Sequence, residues 1–322
     1  MKVFLRVLIA GLFAVVATMA RADSYPSRPI KLLVSFPPGG AADLVARIVG
    51  DPLSKILGAA VVIENRPGAN GNIAGAEVAR ATPDGYTLLL GPGALFNINP
   101  HLYAHMPFDP LTQLEPVASI VANSLVLAVN AKIAKDLDFR GFVELARKTR
   151  PPMFYGSIGL GSEHQLAMEL LKQTAKIDLI HVPYKGGGPA GTAVLAGDIS
   201  SMFGGGSVFP LVKSGKLKGL AVSGPKRIAE LPDLPAIGEI YPGYDVTLWQ
   251  GLFAPKGLPP EILAKIRSAA EKVRAMPEVA KHFASAGAGE PLLLSHADFV
   301  QRIKADNQKF GGIIKSLGLK VK

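Results

Sequence analysis

Two short stretches hold the groups whose types and spacing could do chemistry. The first is Ser35-Phe36-Pro37-Pro38-Gly39-Gly40-Ala41-Ala42-Asp43, and the second is Gly156-Ser157-Ile158-Gly159-Leu160-Gly161-Ser162-Glu163-His164. In each, a short apolar run turns through glycines into a helix-like run. Such a turn leaves unpaired backbone N–H groups converging on one spot, backed by the positive end of the helix dipole. The side chains beside it are small enough to let an anion come close. The first stretch reads as half of a carboxylate-binding site, with Phe36, Pro38, Gly39 and Gly40 around the anion. Asp43 is counted with them, although its place in the first helical turn suits the dipole by itself. In the second stretch the hydroxyls of Ser157 and Ser162 and the amides near Gly159 and Gly161 make another seat. Ser162 followed by Gln165 fits a capping box, which starts the helix at Ser162. Taken alone, the second stretch also suits a plain capped turn. Two helix starts on two domains, however, can hold one ligand from both sides.

Further candidates stand at strand ends, where ligands of open α/β sheets sit. These are Ala94 after Gly91-Pro92-Gly93, Tyr184 with Lys185, and Gly204 to Ser207. Tyr184 could stack on or hydrogen-bond a ligand and Lys185 could pair with its charge. An interfacial tyrosine and a solvated lysine serve equally well as readings. The single tryptophan, Trp249, reads first as a packing residue near a hinge.

Several chemistries are excluded by pattern. Gly159-Leu160-Gly161 lacks the third glycine of a dinucleotide fingerprint, and neither turn leads into Gly-Lys-Ser/Thr. Ser157 and Ser207 each miss one glycine of a nucleophile elbow, and His164 has no acid to orient it. The six histidines fall without metal-ligand spacing, and the absence of cysteine removes thiol catalysis, disulfides and a lipid anchor on an N-terminal cysteine. Neither a cofactor nor a metal is expected, and an enzyme is not.

The elements that must position these groups alternate. β-like runs at 30–34, 60–65 and 86–90 flank helical runs at 44–57 and 73–81, the βαβαβ order of a mostly parallel sheet covered on both faces. Loop residues 99–110 follow. Two apolar runs, 117–121 and 125–129, are interrupted by Asn123-Ser124, read as the first crossing between domains. Residues 246–254 read as the return crossing. Helices expected from Glu261, Pro277 and Ser295 then pack back on the first domain. The chain divides accordingly into 23–123 plus 249–322 as one domain and 124–248 as the other. Residues 1–22 read as a cleaved leader: Lys2 and Arg6, an apolar run from Val7 to Ala20, and cleavage after Ala22. Export to a bacterial periplasm follows. The net charge is +10, but Lys2, Arg6 and Arg21 leave with the leader. The remaining cations are dispersed, which argues against nucleic acid and suits diffusional capture of small anions.

The chain resembles the substrate-binding proteins of tripartite tricarboxylate transporters, the Bug-type family. The matching pieces are Tyr25-Pro26-Ser27-Arg28-Pro29-Ile30, Phe36 to Gly40 with Asp43, Glu64-Asn65-Arg66-Pro67-Gly68-Ala69 and Pro83-Asp84-Gly85-Tyr86-Thr87-Leu88. Asn99-Pro100, Gly159 to Ser162, His181 to Gly186 and Trp249-Gln250-Gly251 continue the series in family order. The resemblance implies an α/β, two-domain periplasmic binding protein (type II-like) with two crossover strands and a ligand cleft between the domains. It also implies a small organic acid held by the two glycine-turn helix starts, partly through water, and membrane permease subunits as partners. A monomer is expected. Two positions depart from the family pattern. Ala94 stands where serine or threonine is frequent, and the turn Gly204-Gly205-Gly206-Ser207 lacks an aspartate. The missing carboxylate argues against an amino-acid ligand and for a mono- or dicarboxylate. An exported hydrolase on the same architecture, or an orphan sensor subunit, are the other functions compatible with the sequence.

Overall fold

Short apolar runs bounded by turn formers give the strands. The computed structural model describes residues 25–321; the expected leader and its cleavage site lie outside them. In chain order the strands are β1 (Ile30–Val34), β2 (Val61–Asn65), β3 (Thr87–Pro92), β4 (Leu114–Ser124), β5 (Val126–Asn130) and β6 (Phe154–Ser157). They continue with β7 (Ile180–Pro183), β8 (Ser201–Gly204), β9 (Leu217–Val222), β10 (Thr247–Pro255) and β11 (Glu290–Pro291). The longer helices are α1 (Ala41–Leu57), α2 (Asn72–Ala79), α3 (Phe139–Lys148) and α4 (Glu163–Ala175). After them come α5 (Gly187–Ala196), α6 (Pro260–Arg274), α7 (Pro277–Ser285) and α8 (His296–Ser316).

The strands form two sheets. One has the order β11-β4-β10-β3-β1-β2, with β1 parallel to β2 and β3 and with β10 antiparallel to β3 and β4. The other has the order β7-β6-β8-β5-β9, parallel around β6 and antiparallel around β5. This is the α/β architecture expected from the sequence, with two sheets joined by crossing segments. The chain leaves the first sheet at Leu125 and returns between β9 and β10. At both places it is clipped by one hydroxyl: buried Ser223 Oγ accepts the Leu125 N–H at 2.8 Å and donates to the Val246 carbonyl at 2.7 Å.

Helix α1 covers the first sheet with Val45, Ala46, Val49, Leu53 and Leu57, a stripe at helical spacing that packs with Leu32 and Leu90. Each such leucine or valine withdrawn from water contributes about 1.5–3 kcal/mol. The helix starts at Ala41, three residues before the apolar run suggests. Ala41 and Ala42 carry little periodic signal, and extended Gly40 sets the start. Residues 99–110, read as loop, include the helical turn Asn99–Leu102 and end at the start of another, Pro110–Gln113, which begins where the Asp109 side chain accepts the Leu111 N–H at 2.9 Å. Helices α6 and α7 pack under the first sheet. Helix α8 reaches further than expected: Phe299 and Ile303 join Trp249 and Phe253, while Phe310, Ile313 and Ile314 join Leu127, Tyr155 and Phe203 against the second sheet.

Candidate ligand-binding site

The first glycine turn is built by contacts four residues apart. Gly39 adopts φ +79°, a conformation that favours glycine, and its N–H donates to Asp43 Oδ2 at 2.9 Å. The same carboxylate takes Arg47 Nε at 2.9 Å and Asn65 Nδ2 at 3.1 Å, and Asn65 Nδ2 also donates to the Phe36 carbonyl. The Arg47 hydrogen bond, helped by those from Gly39 and Asn65, outweighs desolvation and brings the Asp43 pKa down to about 2. Asp43 therefore shapes the turn from behind. No side chain caps α1, and the amides of Ala41 and Ala42 find no acceptor among the described residues. They are the open end of the helix.

The second turn satisfies more of its own groups. Ser157 Oγ donates or accepts at 2.7 Å with His181 Nε2, lies 2.9 Å from the Gly159 carbonyl and accepts the Gly159 N–H at 3.1 Å. The Gly161 N–H donates to Gln165 Oε1 at 2.7 Å, and Ser162 Oγ accepts the Gln165 N–H at 3.3 Å, the expected N-cap. Among the described residues, the Glu163 and His164 amides remain without acceptors at this start of α4.

Both open helix ends line one cavity of about 420 Å³ between the two sheets. Phe36, Pro37, Gly40, Ala41 and Ala42 come from the first side; Ile158, Ser162, Glu163 and His164 come from the second. Val121, Asn123, Leu248, Trp249 and Gln250, on or beside the crossing strands, form the wall between them, with Asn70, Ala94 and Ile98 alongside. Among the described residues, no lysine or arginine lines it. Burial pushes the His164 pKa down to about 4, so its ring is neutral near pH 7. His164 Nδ1 and Gln250 Oε1 are buried without a hydrogen-bond partner among the described residues.

Of the residues singled out in the sequence, Phe36, Gly40, Ala94 and Ser162 line this cavity. Asp43, Ser157, Gly159 and Gly161 lie in the layer that holds the two turns. Pro38 and Gly39 are exposed in the first turn and outside the cavity lining. Tyr184 lies against Gly156 and packs with Val182 over Met202 and Ile199, outside the cavity lining. Gly204 is buried beneath Val208, whereas Ser207 and Lys185 are exposed. Trp249 both packs and lines: it is 3% exposed, meets Phe299 edge to face and donates its indole N–H to Asp306 Oδ2 at 2.9 Å. Asn123, Glu163 and Gln250 also line the cavity, although the sequence reading placed them in a crossing, a turn and a motif without counting them as ligand-binding residues. Polar residues on otherwise apolar crossing strands were the available signal for Asn123 and Gln250.

A family model described as "Tripartite tricarboxylate transporter family receptor" matches residues 45–319. The chain belongs to that family. Solved structures similar to it include the periplasmic binding protein BugD, 30% identical with a TM-score of 0.71, covering 92% of this chain and 100% of that one. A protein of R. palustris solved with adipate is 30% identical with a TM-score of 0.75, again covering 92% and 100%. MatC of Rhodopseudomonas palustris, solved with bound malate, is 27% identical with a TM-score of 0.70, covering 90% and 100%. These receptors are solute-binding proteins, in line with the resemblance drawn from the sequence motifs.

Proposed function

We propose that this receptor captures a small mono- or dicarboxylate in the periplasm, after removal of residues 1–22, and presents it to the permease subunits of a tripartite transporter. One observation carries the proposal: two helix starts, one packed on each sheet, open onto the same cleft-like cavity, which no lysine or arginine lines among the described residues. The first set of donors is the amides of Ala41 and Ala42, and the second is the amides of Glu163 and His164. Hydrogen bonds to a charged acceptor contribute about 1.5–3 kcal/mol each, and more where water is excluded. The adipate and malate of two similar proteins have the same chemistry.

The moving units are residues 23–123 with 249–322, and residues 124–248, of a monomer. Ligand held by one unit draws the other over it, with the Ser223 clip fixing where the strands cross. No bond of the ligand is broken. Phe36, Gly40, Ala94 and Ser162 touch the ligand; Pro38, Gly39, Asp43, Ser157, Gly159 and Gly161 set the geometry of the two turns. Tyr184, Gly204 and Ser207 come into play only if closure brings their strand ends inward. Native mass spectrometry of freshly purified protein, followed by a thermal-shift panel, tests the proposal. Organic acids should raise the melting temperature and be recovered unchanged. Stabilisation by amino acids alone, or conversion of the bound acid, refutes it.

A further inference from the structure

The ionisable side chains lining the cavity are Glu163 and His164. Glu163 is the first residue of α4, so its carboxyl stands at one of the two helix starts that would receive the ligand. The other buried carboxylates among the described residues are partnered. Asp43 has Arg47 and Asn65, Glu169 has Tyr155 and Lys172, and Asp306 has Trp249, Arg302 and Lys309. Among the described residues, the Glu163 carboxyl has neither a hydrogen bond nor an ion pair. It is surrounded by protein yet keeps contact with the cavity, so it retains some solvent exposure. An ionised carboxylate in that position is poorly solvated and would repel an incoming anion that no lining cation offsets.

We infer that Glu163 determines specificity for the far pole of the ligand, its protonated carboxyl donating a hydrogen bond to the second carboxylate of a dicarboxylic acid. The first carboxylate lies on the Ala41 and Ala42 amides. This rests on the carboxylate reading above. Burial, and then the charge of Asp306, raise the Glu163 pKa to about 7, so the proton is available near neutrality. The groups facing it keep that bias. His164 on its own helix is uncharged; α8 presents Asp306 with Arg302 and Lys309 bound to it; β10 presents uncharged Trp249 and Gln250. The ligand-bound form holds the proton, so binding takes up a proton, and affinity falls as pH rises through the pKa of the free protein.

Calorimetric titration of the mature protein with succinate, glutarate and adipate from pH 6 to pH 9 tests this, with hexanoate as the one-carboxylate control. The diacid Kd should change little between about pH 6 and pH 6.5 and weaken toward about tenfold per pH unit above about pH 7. Repeating the titration at pH 8 in buffers of different ionisation enthalpy should show uptake of about one proton per diacid. Glu163→Gln keeps a donor without a titrating proton, so its diacid Kd should be independent of pH. A flat profile in the unaltered protein, or the same slope in Glu163→Gln, overturns the inference and leaves the carboxylate reading standing. An amine-bearing acid that binds more tightly with rising pH, and is lost in Glu163→Gln, overturns it as well. No binding of any acid at any pH overturns both.

Discussion

Replacing Asp43 separates the architecture of the first turn from its contact surface. Alanine at this position removes the acceptor of the Gly39 N–H and of the Arg47 guanidinium, and one of two acceptors of the Asn65 amide. Neighbouring atoms seal Asp43 to 2% exposure, yet it stands near the edge of the molecule with its partner Arg47 in solvent. The ion pair is therefore screened and counts for little. The loss of the ionic acceptor for Gly39 would cost about 1.5–3 kcal/mol in a dry setting. Because water reaches exposed Gly39, the lower part of that range applies, and Asp43→Ala should destabilise the protein by about 1.5–2 kcal/mol. Asp43→Asn, which keeps a neutral acceptor, should lose about half of that.

The binding consequence is larger than the stability change alone suggests. A loosened turn no longer holds Gly39 at φ +79° or Gly40 extended, and the Ala41 and Ala42 amides lose their common direction. Loss of about 1.4 kcal/mol of pre-organisation is a tenfold weaker Kd for the preferred acid. Urea unfolding and calorimetric titration measure the two effects on the same samples. The pH dependence provides a third check. The folded-state pKa of Asp43, about 2, lies below its ordinary value of 3.8. Its contribution is therefore fully present above pH 3.8 and fades as pH falls through about 2. The stability gap between the unaltered protein and Asp43→Asn should close over that interval. An alanine variant within about 0.3 kcal/mol of the parent, with an unchanged Kd, would refute the assignment of Asp43 to holding the turn.

Ser157→Ala removes the hydroxyl shared by the Gly159 N–H and His181 Nε2; a loss of about 1–2 kcal/mol in urea unfolding is expected, with weaker acid binding in calorimetry. Ser162→Ala removes the cap of α4 and should cost about 1 kcal/mol in the same unfolding assay. Ligand capture should shift the emission of Trp249, the single tryptophan, because its ring lines the cavity. A titration in which the organic acid stabilises the protein but leaves that emission unmoved would place the ligand elsewhere. Gly289→Ala, at φ +105° and with its Cβ driven into the Ala122 carbonyl, should cost about 2–4 kcal/mol by urea midpoint.

What the sequence determined by itself was local. The Asp43–Gly39 and Ser162–Gln165 contacts close within four residues, and strand and helix periodicities are fixed by neighbours along the chain. Both glycine turns, the alternation of strands and helices and the crossing strands were therefore legible, as was the family through its motifs. Which groups face the cavity was decided only by tertiary structure. Glu163 and Ser162 are neighbours of Gly159 and Gly161 in sequence, but the capped turn of α4 sends the first pair inward and the second pair into its support. Tyr184, Gly204 and Ser207 stand at strand ends, as the pattern indicated, yet outside the cavity lining. Asn123, Trp249 and Gln250 reach the cavity because β4 and β10 pair antiparallel across the crossing, bringing together residues more than a hundred positions apart. Local rules set backbone conformation one turn at a time, whereas the direction of a side chain relative to a distant helix depends on how two sheets pack.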